Sequence, residues 1–198
     1  MKKEILEWSI AIFAGIILAI LLTTFVGNRY TVKGSSMYPT LKNGDELIVN
    51  KLSTHFHNIN RGDIIVFHAT NSKDYVKRII GKPGDEITYS KDKLYINEEL
   101  VDEPYLKSNK KNRITKYLTE DFSVSDLKNS NGENKIPKGK YLVLGDNRSV
   151  SNDSRQDLGL LDRDKVVGKI LVRVLPLSNF KFDFYPRTFN KINNYWYY

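Results

Sequence analysis

The chain has 198 residues, of which 40% are apolar, and its 31 basic and 23 acidic side chains give a formal charge of +8. It contains no cysteine, which excludes a disulfide framework, a cysteine-based zinc site, an iron–sulfur cluster and a thiol nucleophile. The length suits one domain. The sequence shows no recognised nucleic-acid-binding motif, so the basic charge does not indicate a nucleic-acid partner.

The first predicted element is a long apolar helix. Residues 8–26 (WSIAIFAGIILAILLTTFV) contain neither a charge nor a proline. As a helix they would be about 28 Å long, close to the hydrocarbon thickness of a bilayer. The run is longer than the apolar part of a cleavable secretory signal, and no A-x-A-like site follows it. We therefore predict a short N-terminus over residues 1–7, a transmembrane anchor over 8–27 and a body over 28–198. A buried core helix is the alternative.

The body is predicted to be mostly β. Its short segments rich in β-branched and aromatic residues are typical of strands, and Gly-Asp pairs precede several of them as turns. Residues 90–92 are expected to close a hairpin between two of these strands. The predicted strands cover residues 45–49, 63–67, 75–80, 86–89, 93–96, 140–144 and 165–174.

Two parts of the body are predicted to be peripheral. Residues 107–134 are dense in lysine, asparagine and serine, which indicates a surface excursion that does not form a second core. Within them, residues 121–128 could form one short helix. The aromatic tail, residues 180–198, is expected to lie on the membrane surface or to be partly disordered.

Several weak chemical patterns are better explained as surface sequence. His55 and His57 could face the same way on a strand, but no further ligand lies nearby to complete a metal site. Two S-x-x-K matches, residues 108–111 and 178–181, lack the K-T-G motif of penicillin-binding proteins. The sequence therefore predicts no bound metal and no cofactor.

Four blocks, in order, carry a stronger signal. They are TVKGSSMYPTL (residues 31–41), RGDIIVF (61–67), DYVKRIIGKPGD (74–85) and GDNRSVSNDSR (145–155). Together they resemble the type I signal peptidases, or leader peptidases, in the short single-span form of Gram-positive bacteria. The resemblance extends from the apolar segment to Val174. It implies an antiparallel β-sheet, barrel-like catalytic domain after the transmembrane helix.

The resemblance implies that Ser36 is the nucleophile and Lys77 the general base, with Ser35 as a spacer. A free lysine has a pKa of about 10.4, so only about one amine in 2,500 is neutral at pH 7. Burial disfavours the ammonium form and lowers the pKa. On a strand, Tyr75, Lys77 and Ile79 share one face, so Lys77 can point into an apolar site while Arg78 points away.

Further residues receive supporting roles from the same resemblance. The backbone N–H of Ser36 would stabilise the oxyanion, whereas Gly34 stands where some family members have a serine that supplies a second donor. Ser151 would hydrogen-bond the Lys77 amine and orient it. Ion pairs among Arg78, Asp146, Asp153 and Arg155 would brace the site. An extended substrate would meet Ser35, Met37, Asp74, Tyr75 and Val76 along strand edges.

The implied function is removal of N-terminal signal peptides from exported preproteins, after small residues at positions −1 and −3. The implied partners are those signal peptides and the lipid bilayer. The implied location is the cell membrane, with a single pass and a cytoplasmic N-terminus. Three alternatives remain open at this point: an inactive paralogue that acts as a scaffold, a related Ser-Lys self-cleaving regulator, and a non-enzymatic basic wall-binding module.

Overall fold

A computed structural model describes the backbone of residues 2–25, 29–55, 58–70 and 72–193, and their side chains except at 2, 18–25 and 54–55. Helix α1 spans Lys2–Phe25, and the side chains at 3–17 are exposed. Within this described part of the chain, no helix combines the length and the apolar composition that crossing a bilayer requires. The end of the predicted anchor, residues 26–27, lies outside the described residues, and the anchor stays a prediction.

The described body is built mainly from strands, as predicted, and every predicted strand is present with its bounds shifted by a few residues at most. In chain order the strands are β1 (Arg29–Thr31), β2 (Glu46–Asn50), β3 (Ile64–Thr70), β4 (Lys73–Gly81), β5 (Ile87–Ser90), β6 (Lys93–Ile96), β7 (Glu99–Val101), β8 (Phe122–Ser123), β9 (Lys140–Leu144), β10 (Leu161–Asp162), β11 (Val166–Leu175) and β12 (Lys181–Phe182).

These strands pair antiparallel in two separate sheets. The larger sheet has the order β1-β2-β11-β3-β4-β9-β10, with β12 added on β11, and the smaller one has the order β7-β6-β5-β8. The predicted hairpin between β5 and β6 is present, with Ser90 opposite Lys93. The mostly antiparallel β fold is thus confirmed. Hydrogen bonds among the described strands define two sheets and not one barrel, which corrects the barrel-like closure.

Apolar side chains of both sheets form three buried clusters. One joins the smaller sheet to β4 and β9 through residues such as Ile80, Leu94 and Leu142. A second lies under the chain between β1 and β2 and contains Met37, Leu41 and Val66. The third covers the face of β3, β4 and β9 that carries Ile65, Ile79 and Val143. Strand β4 contributes side chains to all three clusters and therefore connects them.

The peripheral regions are better ordered than the sequence predicts. Among the described residues, a short helix α2 (Leu52–His55) lies between β2 and β3, the excursion contains the short helix α3 (Lys107–Lys111), and the tail contains the short helix α4 (Asn190–Asn193). The excursion buries Leu118, Val124 and Leu127. Where a helix was predicted over 121–128, strand β8 is followed by one 3-10 turn, Val124–Asp126.

The end of the described tail is part of the core, which corrects the expectation of a surface or disordered segment there, whereas Phe180 and Phe182 at its start are exposed. Phe189 and Ile192 are fully or almost fully buried and pack in the first cluster. The hydrophobic effect favours this burial, because the Phe189 ring and the Ile192 side chain leave water when they pack in the cluster. Residues 194–198, with Trp196, lie outside the described residues.

Candidate functional site

The first of the two predicted reactive residues lies in a tight turn between β1 and β2. We call residues 35–41 the serine turn. Tyr38 N–H donates to the Ser35 carbonyl at 3.0 Å, and Leu41 N–H donates to the Met37 carbonyl at 2.9 Å. Met37 is 2% exposed and Leu41 is fully buried, so these two side chains fix the turn to the sheet. Ser36 is left half-buried at the surface of the turn.

The second residue, Lys77, lies on β4 in the middle of the larger sheet. It pairs with Ile65 of β3, while its neighbour Arg78 pairs with Leu144, the last residue of β9. Lys77 therefore lies level with the point where β9 ends. Its side chain is 3% exposed, and its Nζ is 2.7 Å from Ser36 Oγ. The fold brings together a hydroxyl and an amine that are 41 residues apart in the chain.

Burial changes the acid–base behaviour of this amine. Removal from water lowers the pKa of Lys77 from 10.5 to about 8, and the carboxylates of Asp153 and Asp146 oppose that shift. Desolvation prevails because the amine is enclosed while neither carboxylate is its hydrogen-bond partner. With a pKa near 8, about one amine in ten is neutral at pH 7. A neutral amine in contact with a hydroxyl is chemically able to accept its proton.

A charged loop, which we define as residues 145–155, follows β9 and encloses the site. Within it, Asp146 accepts two hydrogen bonds from Arg78, from Nε at 2.9 Å and from Nη2 at 2.7 Å. Both side chains are 1% exposed. Thr40 of the serine turn donates its hydroxyl to the same carboxylate at 2.5 Å. The ion pair therefore links β4, the charged loop and the serine turn.

A second ion pair shapes the charged loop itself. Arg155 Nε donates to Asp153 Oδ1 at 2.9 Å, and the backbone N–H of Gly145 donates to Asp153 Oδ2 at 3.0 Å. Asp153 is fully buried. Because it binds the first residue of the loop, Gly145, and the last, Arg155, this carboxylate holds the two ends of the loop together.

Hydrogen bonds to backbone carbonyls hold the charged loop against the serine turn. Asn147 donates its backbone N–H to the Ser36 carbonyl at 2.9 Å and its side-chain amide to the Ser35 carbonyl at 3.1 Å. At Gly145 the approach is closest, because a Cβ there would lie 2.5 Å from the Ser36 carbonyl oxygen. Only glycine allows that contact.

Gly145→Ala is therefore expected to push the Ser36 backbone out of place. The overpacked methyl group should lower the free energy of unfolding by about 1–3 kcal/mol, as measured by urea denaturation followed by circular dichroism. Gly15→Ala is the matched control, because a Cβ at Gly15 meets no atom within 4 Å. If both variants unfolded at the same urea concentration as the unchanged chain, the close approach would be wrong.

One predicted supporting group, Ser151, differs from expectation. Ser151 Oγ is buried and has no hydrogen-bond partner within the described structure, so the predicted bond to Lys77 is absent. The hydroxyl lies instead against Gly145, where a Cβ would be 2.2 Å from it. Gly34 has a φ of +89°, and a Cβ there would meet nothing within 4 Å. Glycine is thus favoured at position 34 by its backbone conformation and not by crowding.

The predicted substrate-binding residues fall into exposed and buried sets. Ser35 and Asp74 are exposed, and the Asp74 carboxylate is 2.6 Å from His68 Nδ1. Tyr75 and Val76 are half-buried and pack against different clusters, as neighbours on a strand must. Met37 is in the core, which gives it no surface for a substrate and corrects its assignment.

Among the described side chains, no histidine takes part in the site. His68 is the one histidine with a described side chain, and its partner is the exposed Asp74. The side chain of His55 and the whole of His57 lie outside the described residues.

One buried pair that sequence reasoning missed connects the smaller sheet to the charged loop. Arg148 Nη2 donates to Glu103 Oε1 at 2.5 Å, and both side chains are at most 1% exposed. Arg148 Nε also donates to the Gly145 carbonyl at 3.0 Å. No local spacing could have shown this pair, because its members are 45 residues apart.

Comparisons with known proteins identify the family of the chain. Residues 5–175 match the family model described as signal peptidase, peptidase S26. Signal peptidase IB of Staphylococcus aureus (strain MRSA252) is 49% identical over 187 residues, 94% of this chain and 97% of that protein. Signal peptidase I of Bacillus caldolyticus is 45% identical over 172 residues, 87% of this chain and 92% of that protein.

A solved structure also shows that the fold is that of a signal peptidase. The crystal structure of a signal peptidase I from Enterococcus faecalis V583 superposes with a TM-score of 0.51 at 39% identity, covering 56% of this chain and 94% of that one. With the family match over most of the chain, the resemblance seen in the four sequence blocks is confirmed. The chain belongs to the signal peptidase family, peptidase S26.

Proposed function

We propose that this protein is a membrane-bound serine endopeptidase that removes N-terminal signal peptides from exported preproteins. Ser36 is its nucleophile and Lys77 its general base. The observation that carries the proposal is the 2.7 Å contact between Lys77 Nζ and Ser36 Oγ, made by an amine that is 3% exposed. Membership of the signal peptidase family supports the choice of substrate.

Acylation needs a neutral Lys77. Its amine takes the Ser36 hydroxyl proton while Ser36 Oγ forms a bond to the scissile carbonyl carbon. The carbonyl oxygen becomes an oxyanion, for which the backbone N–H of Ser36 is the proposed donor. When the intermediate collapses, the C–N bond breaks and the Lys77 ammonium gives its proton to the leaving amine. The signal peptide is then held on Ser36 as an ester.

In deacylation, water is the nucleophile, and Lys77 is again the general base. Neutral Lys77 takes a proton from a water molecule, whose oxygen attacks the ester carbonyl. Collapse of this second intermediate breaks the bond to Ser36 Oγ, and the proton on Lys77 returns to that oxygen. The released signal peptide carries a new carboxylate. The buried pairs Arg78–Asp146 and Arg155–Asp153 keep the amine and hydroxyl in place through both steps.

The proposed substrate is an extended segment with small residues at −1 and −3. It would align with the exposed serine turn at Ser35 and with the start of β4 at Asp74 and Tyr75, where alternate side chains would enter shallow pockets. Because pockets of that kind exclude large side chains sterically, small residues at two alternating positions are the expected preference.

We also propose a single membrane pass with the N-terminus in the cytoplasm and residues 28–198 outside. The uncharged run at 8–26 and the exposed apolar side chains of α1, including Trp8, Ile12 and Phe13, support it. Ser36 follows Val26 by ten residues, which span at most about 36 Å, so the nucleophile stays near the membrane surface. Protease added outside intact cells should digest the body, and digestion only from the cytoplasmic side would refute this topology.

Incubation of the full chain in detergent with a preprotein that carries an Ala-x-Ala site tests the activity. N-terminal sequencing of the product should show one new end, directly after the second alanine. An uncut preprotein, or cleavage at unrelated positions, would exclude the proposed function. A product formed equally well by a Ser36→Ala variant would exclude the proposed nucleophile.

The pH dependence of kcat/KM should report the titration of Lys77 in the free enzyme. Because the neutral amine is the base and burial lowers its pKa to about 8, kcat/KM should rise with pH and reach half its maximum near that value. The rise between pH 7 and pH 9 should be about tenfold. Initial rates with a synthetic signal-peptide substrate measure it. A midpoint above pH 10 would show that the amine is not desolvated.

A further inference from the structure

A side chain of the excursion, residues 107–134, contacts the serine turn. Asn109, on helix α3, directs its amide nitrogen Nδ2 to two carbonyl oxygens, those of Tyr38 and Asp146, each at 2.8 Å. A primary amide carries two N–H donors, so this single group satisfies both acceptors. Tyr38 belongs to the serine turn and Asp146 to the charged loop. Asn109 therefore bridges the two segments from a third part of the chain.

We propose that Asn109 is a positioning residue that keeps the Ser36 hydroxyl within hydrogen-bond distance of the Lys77 amine. The inference rests on the proposed function of these two groups. Tyr38 is two residues from Ser36, and Asp146 is paired with Arg78, the neighbour of Lys77. The bridge thus ties the backbone that carries the hydroxyl to the ion pair beside the amine.

Helix α3 is itself fixed to the body, so it can serve as the rigid support that such a bridge needs. Leu106, directly before the helix, is fully buried. Lys110 donates from Nζ to the carbonyl of Asp92 at 2.8 Å, which anchors the helix to the turn between β5 and β6. Asn109 lies between these two anchors and is half-buried.

Asn109→Asp is the sharpest test, because aspartate has nearly the same shape but a carboxylate has no N–H to donate. It would also set a negative charge against two carbonyl oxygens. Displacing reacting groups by about 1 Å can lower a rate about 100-fold. We expect Asn109→Asp to lower the rate constant of peptide cleavage by about 10- to 100-fold. Asn109→Gln, which keeps both donors on a longer side chain, should recover part of it.

The experiment is a single-turnover assay with full-length protein in detergent, in excess over a synthetic peptide that contains an Ala-x-Ala site. Circular dichroism of the same samples reports the fraction of folded protein, whereas the rate constant at saturating protein concentration reports the geometry of the site. A merely structural role would lower the folded fraction and leave the rate constant at saturation unchanged. Asn112→Asp is the matched control, because it makes the same charge change at an exposed position of the same excursion.

The result that supports the inference is a slow rate constant for Asn109→Asp at a folded fraction close to that of Asn112→Asp. If the two variants had rate constants within about twofold of each other, the positioning role would be wrong. If Asn109→Asp folds poorly, Asn109→Ala tests the positioning role in the same assay, since it removes the donors without adding charge. Its rate constant should then be the slow one. If the unchanged chain and Ser36→Ala both fail to cut the peptide, the proposed function fails instead.

Discussion

Ser36→Ala and Lys77→Met are each expected to lower kcat/KM for signal-peptide cleavage by about 1,000-fold or more. The first variant removes the attacking oxygen. The second removes the only group whose described position allows it to accept the Ser36 proton, since Nζ and Oγ are 2.7 Å apart. Methionine suits the position because it fills the volume of the buried lysine chain without a charge, so the body should stay folded.

The double variant should be no slower than either single one, because the two groups act as a unit. Ser35→Ala is the matched control. Ser35 is exposed, and its described hydrogen bonds are made by its carbonyl, which alanine retains. Its kcat/KM should stay within a few-fold of the unchanged chain. Full activity of Lys77→Met, at an unchanged content of β structure by circular dichroism, would contradict the role of the amine.

Asp146→Ala is expected to cause the largest loss of stability near the site. It leaves the Arg78 guanidinium buried at 1% exposure without its carboxylate. Breaking a buried pair in this way costs about 3–5 kcal/mol. Thr40 also loses the acceptor of its hydroxyl, so the serine turn should loosen and cleavage should fall together with stability. Urea denaturation followed by circular dichroism measures the free energy of unfolding.

Asp157→Ala provides the comparison for that experiment. Asp157 also pairs with a cation, Lys128, but it is 90% exposed, and water screens such a pair. Its denaturation midpoint should not change. Replacing both partners of the buried pair, as in Arg78→Met with Asp146→Leu, should be more stable than Asp146→Ala alone, because no uncompensated charge remains. Equal midpoints for Asp146→Ala and Asp157→Ala would show that the buried pair does not hold the site.

Much of the sheet could be predicted because the two-residue alternation in the sequence matches the faces on which the side chains pack. β4 is an example: residues 75–80 are rich in β-branched residues, and Lys77 alternates with Arg78 across the strand as the two-residue period requires. Tyr75 and Ile79 do pack in one cluster. The two-residue edge strands β8, β10 and β12 were not predicted, since two residues carry no periodic signal.

The ion pairs Arg78–Asp146 and Arg155–Asp153 were expected from the family resemblance, but other supporting contacts of the site could not be predicted. Asn109 looks like one more polar residue in a lysine-rich stretch, and only the tertiary fold places its amide beside Tyr38 and Asp146. Ser151 was expected to bind Lys77, yet its hydroxyl lies against Gly145. The tail was expected at the membrane surface or partly disordered because it is terminal and rich in aromatic residues, although Phe189 is fully buried.

The most direct measurement is the identification of the acylated residue. A peptide 4-nitrophenyl ester with alanine at its carboxyl end gives a good leaving group, so acylation becomes faster than deacylation. Mixed with the full chain at pH 8, it should release one nitrophenolate per chain in a burst. Mass spectrometry after acid quenching should then find the acyl group on Ser36, and Lys77→Met should show no burst. An adduct on Ser35 or Ser151, or an equal burst from Ser36→Ala, would contradict the account.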